Sequence, residues 1–182
     1  MRVSTFACIV FALTSPMIAT AQFKGYFDVN HLMIEGLATS DWGRRVEADR
    51  LLYVCTNYEK CPPPTAIEIK GVLRSEELPA AFEANGALSP AKLLAQGRAN
   101  AQRTGSRFIT AEHVTVAGVK GVHMEASAGR GQSIYFVTRW IGEGDRMLDI
   151  KATATELDEA RRLVDAATRQ LVPQVFKNPI KI

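Results

Sequence analysis

The stretch from Gln132 to Leu171 leaves the chain the least freedom. Ile134 to Ile141 is rich in β-branched and aromatic residues, which suit a pleated surface. Both alternating sets, Ile134/Phe136/Trp140 and Tyr135/Val137/Ile141, are apolar. A strand apolar on both sides is covered on both faces, so this one is expected inside a layered structure. Gly142-Glu143-Gly144-Asp145 supplies the residues of a tight turn. The return strand alternates, with Leu148, Ile150 and Ala152 on one side and Met147, Asp149 and Lys151 on the other. Thr155 then offers a helix cap, with Asp158 three residues on. Leu157, Ala160, Val164, Ala167 and Leu171 recur at spacings of three and four, forming one buried stripe, and Pro173 ends the pattern.

Upstream, the pattern adds more strands and a helix. Trp42 to Cys55 reads as two strands around a charged turn, Glu47-Ala48-Asp49-Arg50. Ala66 to Leu73 alternates as a half-buried strand, with Ile67 and Ile69 inward and Glu68 and Lys70 outward. Ser75 and Ser89-Pro90 each announce a helix start. The second helix is expected over Ala91–Arg103, with Leu93, Leu94, Ala95, Ala99 and Ala101 on its apolar side and Gly105 as terminator. Arg107 to Ser127 reads as a hairpin turning near Gly118. Runs of strands between helices predict an α+β fold: an antiparallel sheet of about five to seven strands, with a mid-chain helix and a C-terminal helix packed on it.

Met1 to Ala21 is unlike the rest: Arg2 is its only charge, Phe6 to Leu13 is almost wholly apolar, and Ala19-Thr20-Ala21 suits cleavage after small residues. That is the pattern of a secretory signal peptide, with an apolar core too short to be a transmembrane helix. Residues 22–182 then form a single α+β domain with a short tail, 174–182. No later run is long and apolar enough to span a bilayer. Charges of both signs are interspersed and the net charge is only +3, so no basic stripe suggests nucleic acid. Cys55 and Cys61 remain after the signal segment; a close, even pair in an exported chain is expected as a disulfide.

Strand, glycine turn, strand, hairpin and helix, from Val114-x-Val116-Ala117-Gly118 through Leu171, resemble the PsbP-like fold. That resemblance implies a layered α/β sandwich. It also implies a non-catalytic accessory or binding role, such as that of bacterial envelope proteins of the DcrB type. No ligand motif of the family matches residue by residue, and no cofactor is expected.

Three rival chemistries can be written from the residues. His113, His123 and Glu125, with Glu112 beside them, would offer zinc ligands if the hairpin register placed them on one face. That would suit a metal-dependent hydrolase. A Ser-His-Asp set drawn from Ser127 or Ser133, His123 and Asp149 lacks a nucleophile elbow. The cysteines, tied to each other, leave no thiol nucleophile. The function expected is therefore an exported accessory or binding protein of the bacterial cell envelope. Its partner would be another envelope or exported protein, and an inhibitor or immunity-type role is the remaining alternative. Phe176, Ile180 and Ile182, set among lysines after Pro173, are the expected docking side chains unless the tail folds back on the core.

Overall fold

The computed structural model describes residues 23–37, 39–47, 49–74, 78–129 and 133–177. The expected signal peptide, the Ser75 helix start, and Ile180 and Ile182 lie outside them.

Alternating apolar residues build one antiparallel sheet. Its strands are β1 (Phe23–Tyr26), β2 (Trp42–Glu47), β3 (Arg50–Cys55), β4 (Ala66–Arg74), β5 (Arg107–Val116), β6 (Val119–Ala128), β7 (Ile134–Glu143) and β8 (Arg146–Ala154). The spatial order is β2-β3-β4-β8-β7-β6-β5, with β1 also paired to β4. Among the described residues the sheet has eight strands, one more than the upper bound of the sequence reading. The strand hardest to anticipate is β1: it is four residues long, and its register shifts between Phe23 and Gly25, so it shows no alternation. β4 is buried on both sides, not half-buried, because Ile67 and Ile69 enter one core, Val72 enters the other, and Arg50 and Lys70 close over Glu68.

The two faces carry separate cores. On one, Ile67, Ile69, Val137, Leu148 and Ile150 meet Ala160, Leu163, Val164, Ala167 and Leu171 of α3 (Leu157–Val172). On the other, Val122, Met124, Trp140 and Met147 meet Leu78 and Phe82 of α1 (Leu78–Phe82) and Leu93 of α2 (Pro90–Thr104). β7 feeds both cores through Val137 and Trp140, which is why neither of its sides could be polar throughout.

Local chemistry sets the helix ends. Ser89 caps α2, its side chain accepting from the Lys92 amide, and Gly105 closes the helix at φ 69°. α2 turns a different side to the sheet than alanine spacing suggests: Ala95 and Ala99 are exposed. A Cβ on Gly97 would stand 2.0 Å from the Phe108 ring, so a missing side chain lets α2 settle on β5. At α3 the N-cap is Glu156, not Thr155, and it makes no side-chain capping bond. Beyond α3, Pro173–Lys177 makes a π-helical turn in which Val175 is buried and Phe176 packs against the main core.

Candidate functional site

The β5–β6 register decides whether the histidines meet. Ala117 (φ 52°) and Gly118 (φ 87°) form a two-residue turn with positive φ at both positions, the hairpin geometry that suits strand twist. Val116 therefore pairs with Val119, His113 with Val122, and Glu112 with His123. His113 thus shares a face with Val122, and His123 points to the opposite face. The expected set of His113, His123 and Glu125 is not brought together. Among the described residues, no three His, Cys, Asp or Glu side chains group as a metal would need.

His123 instead enters a buried network between β6, β7 and α3. His123 and Glu125 are 5% and 3% exposed, so their polar atoms need partners inside the protein. Two residues apart on β6, they share the α3 face, and their contact is 2.9 Å from Nε2 to Oε1. With Glu125 ionised, this nitrogen carries the proton and donates, a tautomer assigned from the network. Nδ1 is then free to accept from Arg139 Nη2 at 3.2 Å. Arg139 stands directly across from His123 in the β6–β7 ladder. Its Nη2 also reaches Asp165 of α3 at 2.8 Å. From α3, Arg161 donates twice to Glu125, Nε to Oε1 at 2.7 Å and Nη2 to Oε2 at 2.8 Å. Its remaining nitrogen, Nη1, donates to Asp158 at 3.0 Å. The Arg161 guanidinium holds the Glu125 carboxyl below the usual carboxylate range, with help from His123 and against the opposing effect of burial.

This arrangement is a clamp between helix and sheet. Both Glu125 oxygens and both His123 ring nitrogens are occupied by neighbours. A zinc ion needs a deprotonated ring nitrogen with a free lone pair, and a general base needs reach to a substrate proton. Neither condition is met at His123 in this arrangement.

The opposite face carries a charged row across β3, β4 and β8. Arg50 stands 3.7 Å from Glu68 and also bonds Glu47. Lys70 reaches Glu68 at 3.1 Å and Asp49 at 4.0 Å. Asp149 pairs across the ladder with Lys70 on one side and Trp140 on the other. Burial pushes the Asp149 carboxyl up to about 6, against the pull of Lys151 and Lys70.

Among the described residues, two clefts lie elsewhere. One, about 180 Å³, is lined by Phe82, Glu83, His113, Thr115 and Lys120. The other, about 260 Å³, lies among Tyr26, Asn30, Asp49 and Arg50. Both fall below the roughly 300 Å³ at which small-molecule pockets begin.

Cys55 and Cys61 are bonded, with Cα atoms 6.3 Å apart. The loop they close is tied to the start of β2. Asp41 accepts from Asn57 Nδ2 at 2.8 Å and from Lys60 Nζ at 2.7 Å.

No protein family matches the chain, and no curated protein does. Among solved structures, the solution structure of cyanobacterial PsbP (CyanoP) from Synechocystis is similar at TM-score 0.50 and 10% identity, covering 72% of this chain and 81% of that one. The fold is PsbP-like. A protein of unknown function from Pseudomonas aeruginosa aligns at TM-score 0.40 and 14% identity over 73% of this chain and 97% of its own. A Bacteroides thetaiotaomicron protein aligns at 0.42 and 12%, over 70% and 41%.

Within this PsbP-like fold, the buried network contains two residues that the sequence reading passed over, Arg139 and Arg161. The signal for Arg139 was a charge inside an otherwise apolar strand. For Arg161 it was an arginine three residues after Asp158, on the turn that begins the helix. Of the expected docking residues, Phe176 is part of the packed core. No helix among the described residues is long and apolar enough to cross a membrane.

Proposed function

We propose that the chain is a non-catalytic accessory or binding protein, exported to the bacterial cell envelope, of the kind that DcrB-type proteins exemplify. The observation that carries this reading is the clamp: the residues best suited to chemistry, His123, Glu125, Arg139 and Arg161, bond one another and, through the two arginines, Asp165 and Asp158. They fasten α3 to the sheet and so serve a rigid body, on which a binding surface can be displayed. The Cys55–Cys61 bond supports export, since such bonds persist in oxidising compartments. The apolar, singly charged segment before Gln22 supports it too. Ile180 and Ile182 stay in this proposal as docking side chains; Phe176, packed inward, leaves it.

The test is fractionation followed by affinity recovery of the tagged protein. Chain beginning at Gln22, without free thiols, recovered from the periplasm together with a second envelope protein, is the expected outcome. Full-length reduced chain in the cytoplasm would overturn export. Hydrolytic activity surviving Glu125→Gln and scaling with added zinc would overturn the non-catalytic reading.

A further inference from the structure

The sheet ends in two strands, β2 and β5, and their outer edges differ. An edge strand exposes a row of backbone N–H and C=O groups, a template for another chain unless something blunts it. β5 is blunted: its register breaks between Phe108 and Thr110, and α2 packs on it. β2 shows neither feature among the described residues. Its six residues pair with β3 without interruption, from Trp42↔Cys55 to Glu47↔Arg50. Among the described residues nothing pairs with its other side.

β2 is also chemically one-sided. Arg44, Arg45 and Val46 are consecutive and exposed. Glu47, the only acid on the strand, is held by Arg50. Val46, beside the two arginines, is 49% exposed. Arg44 and Arg45 point to opposite faces, so one small anion cannot meet both. An added strand can, because neighbouring side chains on it also alternate between faces.

We propose that the outer edge of β2 is the docking site for an extended acidic segment of a partner protein, which joins the sheet as an antiparallel strand. Main-chain bonds to the edge give affinity, and acidic side chains opposite Arg44 and Arg45 give selectivity. A second copy of the chain is the wrong occupant, since two β2 edges meeting antiparallel about Arg44 and Arg45 set arginine against arginine. The edge is preorganised. Arg44 donates to the Asn30 carbonyl, and Trp42 lies opposite Cys55, whose disulfide loop is roped to Asp41. Rigidity in the free protein lowers the ordering cost of binding. This inference rests on the binding role proposed above and locates it.

The probe is a fluorescein-labelled peptide, Ser-Thr-Val-Glu-Glu-Val-Thr-Ser, titrated with the oxidised chain 22–182 and read by anisotropy. Saturable binding is expected, weakened about tenfold or more when the central Glu-Glu becomes Lys-Lys and abolished by N-methylation of alternate backbone amides. The Arg45 side chain makes no hydrogen bond or ion pair among the described residues, so Arg45→Glu should keep the wild-type melting temperature. It should reverse the preference toward the Lys-Lys peptide. No binding, equal binding of both peptides, or full binding of the N-methylated peptide would overturn the proposal. A partner captured from the envelope equally by wild type and Arg45→Glu would also overturn it while leaving the accessory role standing. Failure of the accessory reading looks different: no partner is captured by either protein.

Discussion

Replacing Glu125 by alanine should be among the most damaging single changes in this protein, and the structure says why. The carboxylate is 3% exposed and takes a two-pronged bond from Arg161 and a third bond from His123. Removing it strands a buried N–H on His123 and leaves Arg161 with only the exposed Asp158 for an acid. Breaking a buried ion pair by removing one partner costs about 3–5 kcal/mol. The Arg161 side chain is 44% exposed and can turn to water, so the expected loss here is about 2–3 kcal/mol. For a domain of this size that lowers Tm by roughly 5–10 °C. The loss also has a pH signature. The folded carboxyl titrates below its unfolded value, so its stabilisation is complete above the unfolded value of 4.5 and disappears as pH falls through the folded one. Urea denaturation of wild type, Glu125→Gln, Arg161→Gln and the double variant would measure this. The coupling between the two positions should be at least about 1 kcal/mol at pH 7 and shrink below pH 4. Purely additive changes, or a coupling indifferent to acid, would refute the clamp.

Other outcomes follow from the same structure. Asp149 has a folded carboxyl raised to about 6 by burial; that favours folding below the unfolded value of 3.8 and is lost as pH rises toward 6. Asp149→Asn should therefore match wild type below pH 4 and exceed it by up to roughly 3 kcal/mol above pH 6, read from stability against pH. Substituting both cysteines by serine should cost about 2 kcal/mol, checked by thermal melting with and without reductant. Truncation after Pro173 strips Val175 and Phe176 from the core and should lower Tm by several degrees. Gly97→Ala drives a methyl into Phe108 and should destabilise the α2–β5 contact by about 1–3 kcal/mol, seen as faster amide exchange in α2.

Much of the architecture was legible because periodicity carries it. The β7–β8 hairpin and the α3 stripe follow from alternation at two and recurrence at three and four, and they lie where the pattern put them. What escaped was set by single residues or by partners distant in sequence. The grouping of His113 with His123 failed through a register of one residue: the sequence marked Gly118, but not that Ala117 would also take positive φ. The burial of Glu68 depends on β4 lying inside the sheet, a fact of topology rather than of alternation. The polar clamp was invisible because Glu125 and Arg161 lie 36 positions apart and meet only when α3 crosses β6. Alanine spacing misdirected α2 because an absent side chain, Gly97, chose the packing side.

The measurement that bears most directly on the account is photo-crosslinking in the living cell. A benzophenone amino acid placed at Val46, on the edge strand β2, is compared with one at Glu143, exposed at the β7–β8 turn. The account predicts a discrete adduct with one envelope protein from position 46, absent from position 143 and lost when the chain carries Arg45→Glu. No adduct from position 46, or the same adducts from both positions, would contradict it.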